Sequence, residues 1–254
     1  MKYIIAILRM LAFAVICILV IIPQSLILAI TKKRFAYILP HFWHKAVCII
    51  FGVKVKLSGK IYTENQTIYI GNHISYLDIP AIASVLTYGS FVAKKDVSSW
   101  PVFGFLATLQ QTAFISRSAK DAKKESNNID SMLAAGKNLI IFPEGTSTDG
   151  TVVKPFKSSL FQIALTDQRK DLYIQPFSVK VLTTNGVAPT TQEQRDIYSW
   201  HLNMDTELHA HLWNFACNKE TVLNLTFHEP IKASDHNDRK TLAKLCHEAV
   251  SNGV

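Results

Sequence analysis

Cysteine is scarce in this chain, four residues in 254, and Cys17, Cys48, Cys217 and Cys246 form no C-x-x-C pair. That excludes a disulfide-stapled secreted domain and fits a protein facing a reducing compartment. Cys17 sits in an apolar stretch, the setting of an inert buried thiol rather than a nucleophile. No G-x-S-x-G elbow occurs, and Ser75 lies too near His73 to build a usual triad, so a serine hydrolase has no support. His209 and His211 lack a cysteine or carboxylate cluster beside them; they read as part of a polar helix or loop, and no metal is expected. Acidic residues are outnumbered 19 to 27, a formal charge of +8. Aromatic residues are not interleaved with Lys and Arg in any RNA-binding signature, so no nucleic-acid partner is expected.

What the chain has in abundance is apolar surface: 48% of residues are hydrophobic, with the excess near the N-terminus. From Met10 to Ile30 no charge occurs, and a helix of about 20 residues matches the thickness of a bilayer core. Lys32, Lys33 and Arg34 follow directly, where each would gain about 1 kcal/mol beside anionic headgroups. The run exceeds the apolar part of a signal peptide and no small-residue cleavage site follows, so an anchor is the better reading. Pro23 and Gln24 break it, and a second apolar patch from Phe35 to Phe51 carries Trp43, His44 and Lys45, which suit an interface. One spanning helix and a hairpin entering one leaflet both remain open. Residues 1–57 are accordingly expected to anchor a catalytic domain over residues 58–254.

Beyond the anchor, short apolar runs alternate with helical segments. Thr67–Ile70, Ser90–Ala93, Ala113–Ile115, Asn138–Phe142, Leu172–Val181 and Val222–Phe227 read as strands. Helices are expected from Ser118 to about Ala135, near Ser158 to Leu165, and from Lys240 to Val250. This alternation predicts an α/β fold with a mostly parallel sheet flanked by helices. The stretch from Thr183 to Lys219 shows no strand pattern and reads as an insertion over one edge.

Chemistry concentrates after the strands, where α/β sheets place their ligands. In Asn72-His73-Ile74-Ser75-Tyr76-Leu77-Asp78, histidine and aspartate would stand about 140° apart on a straight helix and could not meet. They meet if His73 lies in the loop after the strand and Asp78 opens the next helix, with Pro80 in its first turn. Asp78 would then hold one imidazole nitrogen while the other removes a proton from a hydroxyl. Phe114-Ile115-Ser116-Arg117 puts an arginine just after a strand, suited to a phosphate. Phe142-Pro143-Glu144-Gly145-Thr146 supplies a close backbone approach at Gly145 and a hydroxyl at Thr146.

In order and spacing these segments, with the later Ile174-x-Pro176-x-x-x-Lys180, resemble the four motifs of the glycerolipid acyltransferases. The resemblance spans about Tyr69 to Lys180 and implies acyl transfer from acyl-CoA or acyl-carrier protein to lysophosphatidic acid, giving phosphatidic acid without a cofactor. It implies His73 and Asp78 as the catalytic pair, and Asn72, Lys94, Arg117, Glu144, Gly145, Thr146 and Pro176 at the substrate. It also implies a bacterial-type inner membrane, with the catalytic domain on its cytoplasmic side. Three places depart from the commonest form: Gln111 stands where glycine often precedes F-I-x-R, Ser147 where arginine often follows E-G-T, and Lys157-Ser158-Ser159 where F-K-x-G is usual. The segment from Arg195 to Trp213 also looks like a region of bacterial lyso-ornithine lipid acyltransferases, whose acceptor carries an amino-acid headgroup in place of phosphate. A catalytically silent, membrane-anchored lipid-binding module is the alternative of another class.

Overall fold

The computed structural model describes residues 2–116, 128–165 and 169–254. The N-terminus is helical from Lys2, so the first helix, α1 (Lys2–Ile30), starts earlier than the uncharged run and takes in Arg9. It also continues through Pro23, where a break was expected. Val20 and Gln24 are buried on either side of the proline, and that packing holds the following turn in register despite the lost N–H. A second helix, α2 (Ile38–Phe51), buries His41, His44, Val47, Cys48 and Phe51 at helical spacing. It ends at Gly52, whose φ of 69° is the left-handed cap that glycine adopts freely.

The sheet has eight strands: β1 (Val53–Ser58), β2 (Thr67–Gly71), β3 (Ser90–Lys94), β4 (Ala113–Ile115), β5 (Leu139–Ile141), β6 (Tyr173–Thr184), β7 (Thr221–Phe227) and β8 (Ile231–Lys232). Their order is β1-β7-β6-β2-β5-β3-β4, with β8 also on β6. The pairs β2/β5, β2/β6, β3/β5, β3/β4 and β1/β7 are parallel, whereas β6 runs antiparallel to β7 and β8. The sheet is therefore mostly parallel, as expected for alternating strands and helices. Central strand β2 is buried at all five positions, which is why it reads as a continuous apolar run.

Each face of the sheet carries its own core. On one, Tyr69, Phe91, Ile140, Phe177 and Val179 pack with Ala6, Val47, Cys48 and Phe51 of α1 and α2. On the other, Ile68, Ile141 and Ile174 pack with Leu242 and Cys246 of the C-terminal helix, Arg239–Ser251. The hairpin α1–α2 thus shares the core of the sheet, and β1 crosses the expected boundary at residue 57 to pair with β7. Ser158–Ala164 forms a 3₁₀ helix. Of the helix expected from Ser118 to Ala135, residues 128–134 are helical and the start lies outside the described residues.

Candidate active site

β2 ends at Gly71 and the next helix, α3 (Asp78–Ala83), begins at Asp78, so the loop between them carries Asn72 and His73 at the carboxyl edge of the sheet. The His73 Nδ1–H donates to Asp78 Oδ2 at 2.8 Å. Asp78 is fully buried, a costly position for a carboxylate unless hydrogen bonds replace its water. They do: Oδ2 also accepts the N–H groups of Ile74 at 2.7 Å and Ser75 at 3.0 Å, and Oδ1 accepts the Tyr198 hydroxyl at 2.9 Å. The His73 ring lies flat on Phe142, centroids 4.3 Å apart and planes 12° from parallel. Its side chain is 22% exposed, and among the described residues only Nδ1 of the two ring nitrogens has a partner. Nε2 is left to accept a proton.

The turn after β5 braces this loop. Glu144 is 4% exposed; Oε1 accepts the His73 N–H at 2.7 Å and Oε2 the Lys154 N–H at 2.8 Å. Burial pushes its carboxyl up to about 7, against the pull of those two donors. The Thr148 N–H closes the arrangement on the His73 carbonyl at 2.9 Å. Gly145 has a φ of 69°, and a side chain there would strike the Lys157 ammonium. Thr146 follows in the same turn, half-buried.

The remaining expected residues are spread more widely. Lys94 ends β3, one strand beyond β5, in register with Ile115 of β4. Arg117 lies outside the described residues. Asn72 was expected at the substrate, yet it is 1% exposed and its amide is taken up by β6, donating to the Val179 carbonyl at 2.9 Å and accepting the Val179 N–H at 2.7 Å. It fastens the end of β2 to its neighbour. Pro176 is buried in β6 opposite Ile70; strand alternation puts it on the face of Ile174, away from the Phe177 and Phe142 face that carries His73. The structure therefore brings together His73, Asp78 and the Glu144-Gly145-Thr146 turn, and leaves Pro176 apart from them.

The stretch expected as an edge insertion instead covers the site. After β6 reaches Thr184, the chain returns so that the Trp200 N–H donates to the Ile74 carbonyl at 3.0 Å and the Ser147 hydroxyl to the Trp200 carbonyl at 2.7 Å. His211 is 2% exposed within the helix Leu208–Ala216. Its Nε2 faces the Asp196 carbonyl at 3.1 Å and so carries the proton, leaving Nδ1 to accept from the Tyr76 hydroxyl at 3.0 Å. Tyr198 is the site residue that motif reasoning missed; its signal is the likeness of the Arg195–Trp213 segment to a bacterial subset. A cavity of about 560 Å³ lies beside this cover, with Ser147, Thr148, Asp149, Lys154, Asp196, His201 and Asp205 in its lining. Asp149 is paired there with Arg195 at 3.0 Å.

A mostly parallel sheet with N-H-x-x-x-x-D and F-P-E-G-T at its carboxyl edge defines an α/β acyltransferase. The chain belongs to the Acyltransferase family, whose model matches residues 52–180. It is 31% identical over 229 residues to a lyso-ornithine lipid O-acyltransferase of Brucella abortus (strain 2308), covering 88% of this chain and 84% of that protein. It is 29% identical over 187 residues to a 1-acyl-sn-glycerol-3-phosphate acyltransferase of Neisseria gonorrhoeae, covering 73% and 68%. Its fold is that of the crystal structure of the 1-acyl-sn-glycerophosphate (LPA) acyltransferase PlsC from Thermotoga maritima, with a TM-score of 0.65 at 22% identity over 100% of this chain and 96% of that one.

Proposed function

We propose that the chain moves a fatty acyl group from a thioester donor, acyl-CoA or acyl-carrier protein, to the free hydroxyl of a lysolipid. The observation that carries this reading is the His73–Asp78 pair, buried on the aspartate side and open at His73 Nε2. Nε2 takes the proton of the acceptor hydroxyl as its oxygen attacks the thioester carbonyl; the tetrahedral centre collapses, the carbon–sulfur bond breaks, and the leaving sulfur takes the proton back from the His73 imidazolium and departs as the thiol. Asp78 holds the imidazole tautomer and stabilises the imidazolium. General-base assistance of this kind contributes about 10²–10⁴-fold. Glu144 fixes the backbone of His73, and Gly145, Thr146, Lys94 and Arg117 are the groups proposed to face the donor or acceptor phosphates.

For the acceptor, the motifs alone favour lysophosphatidic acid, but three observations favour lyso-ornithine lipid. The Brucella relative of that activity extends over 88% of this chain, including the 195–213 segment beyond the shared motifs. Asp196 and Asp205 with the single lysine Lys154 also line the cavity beside the cover, where Asp149 is already paired with Arg195, an electrostatic setting better matched to an amino-acid headgroup than to a phosphate. Ser147 stands where an arginine would meet phosphate, and its hydroxyl is committed to Trp200. Lysophosphatidic acid, giving phosphatidic acid, is the second reading, favoured by the Neisseria relative.

Membranes carrying the protein, given labelled acyl donor and a panel of lysolipids, should acylate lyso-ornithine lipid in preference to lysophosphatidic acid. The reverse preference would replace the acceptor and keep the chemistry. His73→Ala should fold normally and lose transfer; near-normal turnover by that variant would sink the general-base assignment. Lysolipid binding with no thiol release from either donor would instead reveal a silent lipid-binding module.

A further inference from the structure

We propose that Tyr198 is a positioning residue for the catalytic pair, fixing the Asp78 carboxylate and thereby setting how tightly the pair holds its proton. The proposal rests on the reading of His73 as general base. Three donors converge on Asp78 Oδ2, the oxygen that faces His73. Among the described residues the Tyr198 hydroxyl is the one donor on Oδ1. Without it, one oxygen of a fully buried carboxylate would lose its donor.

The phenol is held for this purpose. Its ring is 0% exposed and meets Phe215 edge-on, centroids 6.0 Å apart. Two residues on, the Trp200 backbone grips Ile74 of the His73 loop, so residues 198–200 clasp both the carboxylate and the loop it orients. Burial and the neighbouring Asp78 charge push the phenol well above its ordinary range, so it stays a donor at every working pH.

A hydrogen bond onto Oδ1 draws negative charge away from Oδ2 and lowers the proton affinity of the pair. Loss of the hydroxyl has the opposite effect whether the added proton settles on Asp78 or on His73. The other titratable groups around the pair are Glu144 from the turn after β5, Tyr76 of the His73 loop, Cys48 of α2, and His211 bonded to Tyr76. All of them stay in place in a Tyr198→Phe protein and cancel in the comparison.

The test uses the full-length protein and acyl-CoA, with lyso-ornithine lipid as acceptor, or lysophosphatidic acid if the former is not acylated. Tyr198→Phe should lower kcat at neutral pH by roughly tenfold, leave the acceptor KM within about twofold, and move the acidic limb of the kcat profile up by about one pH unit. Placing 3-fluorotyrosine at Tyr198, a stronger donor of the same shape, should move that limb down. Leu242→Ala, a core truncation on the opposite face of the sheet from Tyr198, should lower Tm and leave the limb where it is. Limbs unmoved in both Tyr198 proteins, or moved equally by Leu242→Ala, would overturn the proposal. The His73→Ala protein separates the two ideas. If it is inactive while the limbs stay fixed, only the role of Tyr198 falls; if it still turns over, the base assignment falls and takes Tyr198 with it.

Discussion

At the scale of single residues, Glu144 has a measurable signature. Its folded carboxyl is raised from 4.5 to about 7, so between those values the folded protein keeps a proton that the unfolded chain has released. Stability contributed at this position must therefore fall as pH rises through that window and level off above it. Thermal or urea unfolding should show the wild-type stability, relative to Glu144→Gln, declining from pH 4.5 to pH 7; a constant difference would contradict the assignment. His73, Asp78 and Glu144 were legible in the sequence because each lies in a short motif beside its strand. Tyr198 was not, because it meets Asp78 across 120 positions, a contact that no local periodicity encodes. Asn72 was legible as part of a motif but not in its role, since only the register of β6 shows that Val179 takes up its amide. One departure from the family pattern has a backbone meaning: Gln111, standing where glycine is usual, has a φ of 61°, and its side chain accepts a hydrogen bond from Lys137 at 2.8 Å.

Among the elements, the strands that motif reasoning needed were the easiest to read, because β2 and β5 are buried on both faces and consist of apolar runs. Strand β1 was hidden. Its residues alternate as Val53-Lys54-Val55-Lys56 directly after a long apolar tract, which drew them into the expected anchor. The end of α1 shows why that boundary dissolves. The Arg9 guanidinium donates to the carbonyls of Ala216 at 3.2 Å, Lys219 at 2.9 Å, and Asn218, the last turn and exit of the helix Leu208–Ala216, where a cation is favoured. Charge-assisted hydrogen bonds of this kind are worth about 1.5–3 kcal/mol each at most. Arg9→Ala should accordingly lower stability by about 2–3 kcal/mol, read as a drop in Tm, with a smaller loss for Arg9→Lys. An unchanged Tm would show that α1 is held by its apolar face alone.

For the molecule as a whole, the exposed surface is as informative as the core. Ile4, Leu8, Leu11, Val15, Ile18, Ile22 and Leu26 line the outer side of α1, and Phe35, Ile38, Phe42 and Ile49 continue it around α2. An apolar surface of this extent is of the kind that meets lipid or a partner, and α1 is long and apolar enough to cross a membrane. Because Ala6, Cys17, Val20 and Gln24 are buried along its length, the helix and the catalytic body should meet lipid together. Purified protein should float with anionic vesicles more than with neutral ones, less so in high salt, and Ile18→Asp with Ile22→Asp should abolish flotation while acyl transfer in detergent persists. Flotation by that double variant would place the lipid contact elsewhere.

The shared core has a practical consequence for anyone wanting a detergent-free enzyme. Trimming away the first 57 residues would remove Ala6, Val47, Cys48, Phe51 and Val53 from beneath Tyr69 and Phe177, opening a wound in the sheet rather than releasing a soluble domain. The workable route is to keep both helices and repaint their outer side with polar residues, leaving every inward-facing position as it stands.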